Sequence, residues 1–369
     1  MRWRASIIFM LVTAISASAL ENGQVRVEVL GLFHTKEIVV EVLPSSPLLV
    51  DSGQRQFVAG ADARQSLHIG LAGEGITVQN GDSTMIGERF TFSARQGGEG
   101  EFILAVPGKL RRHYRGKLVL LARGKELQMV VEMGIETAVA SVIAAELPSD
   151  SPWEALKAQA VVSRSYLLKG GHRHINADFC DTTHCQFLRE PPSAGSRAAL
   201  AARATQGEIL TWKGQPFAAM YSASCGGHTH SLAQVGAATV DYPYFEVECA
   251  YCRHSPEKWS SQLSKPDATA LVPNNERERI RSARKLGWGT VPSSDFTQSE
   301  LDAGTVVLNG VGRGHGVGLC QHGATGLAIE GKDYRAILAH YFPNTTVELL
   351  SDSITRTRDR VPVLYNRQR

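Results

Sequence analysis

The chain has 369 residues, with 39 lysines and arginines against 36 aspartates and glutamates and 43% hydrophobic residues. That near-balance leaves no electrostatic footprint for nucleic acid, and the apolar fraction suits a chain that buries one sizeable core or two smaller ones. Arg2 and Arg4, an apolar run from Ile7 to Ile15 and the small residues Ala17-Ser18-Ala19 read as a secretory leader over residues 1–19. The mature chain is expected to start near Leu20, where 37 basic residues then face 36 acidic ones. No later stretch approaches the roughly 18 to 20 unbroken apolar residues of a membrane helix, so an exported product with no membrane span is expected. Its six cysteines, Cys180, Cys185, Cys225, Cys249, Cys252 and Cys320, must survive an oxidising compartment. Each is expected to be bridged, metal-bound or buried.

From Val25 to about Met133 the pattern is of short β-branched runs punctuated by Gly, Asn and Pro. Strands are predicted at Val25–Val29, Glu37–Leu43, Ile76–Val78, Phe90–Ser93, Phe102–Val106, Lys117–Ala122 and Leu127–Glu132, with turns at Asn80-Gly81 and Gly97-Gly98. This β-rich stretch carries no cluster of catalytic residue types and reads as scaffold or docking surface.

The next segment changes period. Ile135, Val139, Val142 and Ile143 share one helical face, and Glu146 follows on that face three, four and seven residues beyond the last three. Pro148 biases Leu147 away from helical geometry, which places Glu146 in the last turn. Partial burial and the negative end of the helix dipole both favour its protonated form, as a general acid requires. A second helix follows, with Ser151 as N-cap, Pro152 at the first helical position, Glu154 closing a capping box, and Gly170-Gly171 as its stop. Gln159 and Arg164 lie within it.

His172, His174, Cys180, His184 and Cys185 then crowd into a short segment. Four such ligands can close a tetrahedral zinc site, although the spacing is not that of a common finger or ribbon, and a Cys180–Cys185 disulfide is the alternative. A helix over about Ser196–Ala204 and a hairpin near Lys213-Gly214 lead to Tyr221, Ser224 and Cys225 before paired glycines. Cys249 and Cys252 form a C-x-x-C that suits a disulfide partner for Cys225, a redox pair or half of a metal site, with one disulfide to Cys225 favoured. Residues 274–285 read as a charged surface helix. Gly310 to Ala324 is glycine-dense and contains G-x-G-x-x-G spacings, yet no βαβ unit precedes it and no Lys-Ser/Thr pair follows, so a phosphate loop is poorly supported. Helices over Thr325–Ile329 and Asp333–Phe342 and a strand at Thr346–Leu350 complete the pattern, before a basic tail over residues 351–369.

Four ordered stretches carry a resemblance: Ala140–Pro148 with Ala155–Tyr166, the cluster ending in His184-Cys185-Gln186, the Gly226-Gly227 turn, and Gly314–Ala324 with His315 and Gln321. Over roughly Lys117 to Leu350 the chain resembles the stage II sporulation protein D family, also called the amidase enhancer family. With the β-rich N-terminal region over residues 20–116 read from the strand pattern, an α+β fold is expected, and the resemblance implies a mixed helix/strand catalytic domain over residues 117–350. It implies a lytic transglycosylase acting on peptidoglycan glycan strands, preferably stripped of stem peptides, in the periplasm or cell wall. It places the catalytic acid at Glu146, zinc ligands at His174, Cys180, His184 and Cys185, and cleft residues at Arg164, Tyr221, His315 and Gln321. Gln159, in a matched stretch, and Ser224, just before the matched paired glycines, join the candidate substrate-binding set.

Two departures stand out: Ala223-Ser224-Cys225 where the family commonly has Ser-Thr-Ser, and Cys320-Gln321-His322 where it has Ser-Gln-Tyr. Spore formation does not follow from the match. A single glutamate suffices if the sugar's own C6 hydroxyl replaces water as nucleophile, whereas a hydrolase normally needs a second carboxylate. No partner acid stands in a motif, although Asp178 and Asp181 lie nearby in sequence. The other reading is a binding module that docks on glycan or on a cell-wall amidase and stimulates it. A zinc hydrolase fits less well, because four protein ligands leave no open position on the metal.

Overall fold

A computed structural model describes residues 23–171, 173–235, 244, 246–269, 276–300 and 304–350. The expected leader, His172, the start of the charged helix at Asn274 and the basic tail lie outside the described residues.

The N-terminal part is all strand: β1 (Gln24–Val29), β2 (Glu37–Val42), β3 (Leu48–Asp51), β4 (Gln56–Ala59), β5 (Gln65–Ala72), β6 (Gly75–Asn80), β7 (Ser83–Gly87), β8 (Arg89–Ala94), β9 (Gly100–Val106), β10 (Leu110–Arg123) and β11 (Glu126–Gly134). Period-2 alternation explains most of them. In β1, Val25, Val27 and Val29 point into the core while Arg26 and Glu28 take the other face. β11 instead reads as a nearly continuous apolar run because both of its faces are covered: Met129, Val131 and Met133 enter the main core, and Val130 packs with Val119 and Ala177 on the far side. β10 is the joint of the layer. Over Leu110–Gly116 it pairs with β9, and over Lys117–Arg123 with β11. Gly116, at φ +141°, makes the bend, and a Cβ there would lie 2.4 Å from the Glu132 carbonyl oxygen. The expected boundary between residues 116 and 117 thus falls inside one strand.

Two helices follow, α1 (Ile135–Glu146) and α2 (Trp153–Lys169). The Glu99 carboxylate accepts from the Gly134 N–H and the Thr137 hydroxyl, placing negative charge at the N-terminus of α1. The helix stops where Pro148 demands it: Leu147 is extended at φ −120°, ψ 141°. α2 departs from the predicted capping box. Pro152 is its N-cap, with no side-chain cap bond, and Glu154 instead pairs with Lys157 and accepts from the Tyr334 N–H. Pro152 can cap only with its backbone, and its carbonyl takes the Leu156 N–H. α2 is buried from Ala155 to Leu168 almost without interruption, the pattern of a helix surrounded by protein.

Around α2 lie β12 (Phe179–Cys180), α3 (Arg197–Ala204), β13 (Glu208–Trp212), β14 (Gln215–Pro216) and β15 (Tyr221–Ser222). Then come α4 (Ala250–His254), β16 (Lys258–Ser264), α5 (Lys265–Thr269), α6 (Glu276–Leu286), β17 (Phe296–Glu300), β18 (Thr305–Val311), β19 (Leu319–Cys320), α7 (Gln321–Ile329), α8 (Tyr334–Tyr341) and β20 (Thr345–Leu349). β12 adds to β1 in parallel, so the segment after α2 is tied into the N-terminal sheet. β16, β18 and β17 form a separate three-stranded sheet with its own small core around Leu263, Ala283, Val291, Phe296 and Leu308. That unit is inserted between β15 and β19, which pair in parallel beside the main core. The architecture is α+β: a strand-rich N-terminal layer followed by mixed helices and short strands.

Candidate active site and metal centres

Glu146, the last residue of α1, is half-buried and held from several directions. Its Oε1 accepts the Phe187 backbone N–H at 3.0 Å and the Tyr221 hydroxyl at 3.0 Å, and the Gln321 side chain lies close enough to help hold the pKa of the carboxyl down. Gln321 in turn donates to Gln159 Oε1 at 3.2 Å, and Gln159 donates to Ser163 Oγ at 3.0 Å. The acid on α1 is therefore linked to β15, to the start of α7, to the interior of α2 and to the segment after β12. Burial raises the Glu146 carboxyl above its ordinary value, against the pull of Tyr221, the Phe187 N–H and Gln321. Burial, then the charge of Glu146, drives the Tyr221 hydroxyl well above its own usual value, which keeps it a donor.

Other candidate residues sit differently. Arg164 is 1% exposed and does not reach Glu146: its guanidinium forks onto Glu136 at 2.8 and 2.7 Å and donates to the carbonyls of Ala202 and Glu208. It ties α1, α2, α3 and β13 together, away from the bonds to Glu146. Ser224 is also turned elsewhere, its Oγ lying 3.7 Å from Cys252 Sγ while its backbone bridges to Arg313. His315 is half-buried in the loop before β19, and its Nδ1 accepts the Val317 N–H at 3.1 Å. The glycines beside it serve close packing of the chain itself. A Cβ on Gly318, at φ +77°, would lie 2.2 Å from the Met220 carbonyl oxygen. The two neighbouring acids are spent on the sheet: Asp178 accepts from the backbone and guanidinium of Arg26, and Asp181 from the Leu30 N–H and Arg112.

Sequence reasoning overlooks two participants near Glu146. Phe187 acts through its backbone N–H, which no side-chain pattern reveals. Gln186, beside it, is buried with Oε1 lacking a partner, as is Ser222 Oγ beside Tyr221. The Gln186 signal lay in the matched His184-Cys185-Gln186 triplet.

His174, Cys180, His184 and Cys185 converge, with one donor atom from each lying within 4.8 Å of all the others. His174 Nε2 is 3.2 Å and His184 Nδ1 3.5 Å from Cys185 Sγ, and the Cys180 and His184 donors are 3.8 Å apart. Two imidazole nitrogens and two thiols at such separations fit a tetrahedral metal ion. Glu28 of β1 lies 3.9 Å from the other nitrogen of His174, where an outer carboxylate orients a ligating imidazole. No cysteine among the described residues is bridged. The favoured disulfide between Cys225 and the C-x-x-C is not formed, because Cys225, Cys249, Cys252 and Cys320 meet as a second four-membered group.

The family model for stage II sporulation protein matches residues 123–212, the segment from the end of β10 through β13 that carries Glu146 and the Cys/His cluster. A protein of Brachyspira hyodysenteriae is 33% identical over 261 residues, covering 62% of this chain and 70% of that protein. The chain belongs to the stage II sporulation protein D family. Stage II sporulation protein D of Bacillus amyloliquefaciens is similar to this family member at 27% identity over 59% of the chain and 75% of the relative. The amidase enhancer of Bacillus subtilis is 24% identical over 56% of the chain but only 39% of its own length.

Proposed function

We propose that this family member acts at the cell wall as an exported lytic transglycosylase, cleaving peptidoglycan glycan strands with Glu146 as both acid and base. One observation carries the reading. Glu146 is a half-buried carboxyl, raised by burial, at the end of a rigid helix, and the group bonded to it (Tyr221, the Phe187 N–H, Gln321, Gln159 and Ser163) contains no second carboxylate. A lone acid in such a place must move both protons itself. Protonated Glu146 gives its proton to the glycosidic oxygen as the bond to C1 breaks. The resulting carboxylate, steadied by its three donors, takes the proton of the C6 hydroxyl as O6 closes on C1. No water is consumed, and one end carries a 1,6-anhydro ring.

With both Oε1 contacts coming from donors, the transferable proton belongs on Oε2. Zinc in the His174, Cys180, His184 and Cys185 cluster would be structural, since four protein ligands saturate it and Phe187 follows two residues behind. Mass analysis of peptide-stripped glycan strands after incubation with the protein tests the proposal: anhydro ends are expected, and reducing ends would mean hydrolysis. Glu146→Gln should lose about 100-fold or more, and a residual rate above about a tenth of wild type would refute the acid. The similarity to an amidase enhancer favours one second reading, a module that binds glycan or a cell-wall amidase without cutting. Stimulated amidase with intact strands would establish it instead.

A further inference from the structure

Cys225, Cys249, Cys252 and Cys320 take no part in the bonds to Glu146, yet all four are buried and bring their Sγ atoms within 4.8 Å of one another. We propose that they form a second metal centre, a zinc ion held by four thiolates, which fixes the segments that present Tyr221 and Gln321 to Glu146.

The spacing selects a single ion. A tetrahedral zinc with bonds of about 2.3 Å sets its sulfurs about 3.8 Å apart. Cys252 and Cys320 are 3.5 Å apart, and the whole set stays below 4.8 Å. An iron–sulfur cluster places bridging sulfides between its irons and pushes thiolates on different irons farther apart than this.

The chain delivers the ligands as two pairs. Cys249 and Cys252 flank the first turn of α4, three residues apart, so both sulfurs face the same side. Cys225 and Cys320 are brought together by the parallel pairing of β15 and β19, in which Ser222 stands opposite Cys320 and Cys225 follows three residues later. The Cys249 N–H donates to the Gly227 carbonyl, locking the two pairs against each other.

The surroundings suit thiolate charge. Cys320 Sγ accepts the N–H groups of Cys225 and Gly323, each at 3.3 Å. The Tyr341 hydroxyl lies 3.4 Å from Cys249 Sγ and the Ser224 hydroxyl 3.7 Å from Cys252 Sγ. Such outer donors orient metal-bound sulfur and spread its charge. Room is reserved as well, since a Cβ on Gly323 would lie 2.4 Å from Cys249 Sγ.

The link to the cleft is short. Cys320 caps α7 through its sulfur and immediately precedes Gln321, while Tyr221 lies four residues before Cys225. The existence of the centre does not depend on the proposed glycan cleavage, whereas its effect on rate does.

Metal analysis of the purified mature protein should find about two zinc ions per chain, one for each cluster. X-ray absorption at the zinc edge should give an average of three sulfurs and one nitrogen per zinc, from one four-thiolate site and one site of two thiolates and two imidazoles. The double variant Cys249→Ser, Cys252→Ser should keep one zinc with two sulfurs and two nitrogens. The variant Cys180→Ser, Cys185→Ser should keep one with four sulfurs. If either double variant fails to fold, the wild-type absorption measurement decides alone. Glu146→Gln should retain both ions even if no glycan is ever cut, so failure of the catalytic reading and failure of this one are separable. A wild-type protein with a single zinc bound by two sulfurs and two nitrogens, iron in place of zinc, or an intact mass showing Cys225, Cys249, Cys252 or Cys320 in disulfides would overturn the proposal.

Discussion

Tyr221→Phe is the sharpest probe of the proposed acid, because it removes one hydroxyl 3.0 Å from Glu146 Oε1 and keeps the ring. In the proposed mechanism the acid starts neutral, and that hydrogen bond is then an ordinary one. As the proton leaves, charge develops on the carboxylate and the same bond strengthens, so its worth is expressed in the transition state. A hydrogen bond to a charged group contributes about 1.5–3 kcal/mol, which corresponds to about 10- to 150-fold in kcat/KM. The Phe187 N–H and Gln321 remain, so the lower part of that range is expected, about 10- to 30-fold. The pH profile has a definite sign. Tyr221 pulls the Glu146 pKa down, so its loss lets burial raise the carboxyl further. The protonated form that must give the first proton then persists to higher pH, and the alkaline limb of kcat/KM moves upward. The assay is release of anhydro-ended fragments from peptide-stripped strands across pH, with circular dichroism confirming the fold. A folded variant within about twofold of wild type and with an unmoved alkaline limb would refute the role of Glu146 as the acid that Tyr221 steadies.

Arg164→Lys should lower thermal stability, since one ammonium cannot replace a forked guanidinium on Glu136 and two carbonyls, at a cost of about 3 kcal/mol for a disrupted buried pair. Its KM and kcat at permissive temperature should match wild type, and a raised KM would return Arg164 to the cleft. Cys185→Ser should release zinc from the Cys/His cluster and increase amide exchange over residues 173–188, and unchanged exchange there would refute a structural metal. His315→Ala should lower kcat and kcat/KM together if the imidazole meets the sugar, with about 0.5–1.5 kcal/mol of stability lost along with the Val317 bond. Reduced stability with unchanged turnover would retire its cleft role.

The fold was legible where period and punctuation agree. Val25, Val27 and Val29 alternate cleanly, and Asn80-Gly81 and Gly97-Gly98 mark turns that the structure makes with positive φ. β7 shows no such pattern because it is an edge strand with no fully buried side chain, and β3 and β4 are only four residues long. The helix carrying Glu146 could be placed by Pro148, whereas the predicted cap of α2 failed because the helix starts one residue later, with Pro152 itself at the N-cap, and Glu154 binds Lys157 and Tyr334. The Cys/His cluster is local in sequence and therefore visible. The four-cysteine group spans residues 225–320, with an inserted sheet between Cys252 and Cys320, so only its C-x-x-C half looks like a ligand pair before the strands are paired.

That difference in visibility bears on how the acid is held. Glu146 is the fixed point, since the middle of α1, from Ala138 to Ile143, is buried. Its partners come from segments held by very short strands: β12, β15 and β19 have two residues each. Each of those strands enters a cysteine cluster, β12 through Cys180, β15 through Cys225 three residues on, and β19 through Cys320. The Phe187 N–H lies on the segment that follows the Cys/His group, and Tyr221 and Gln321 lie on segments that carry the four-cysteine group, so the proposed metal ions would anchor the surroundings of the carboxyl through both. Donors aimed at a developing charge are effective only when they need not reorganise, and metal cross-links placed two to four residues from Phe187 and Tyr221, and one from Gln321, would supply that rigidity where the sheet pairing is too short to do so.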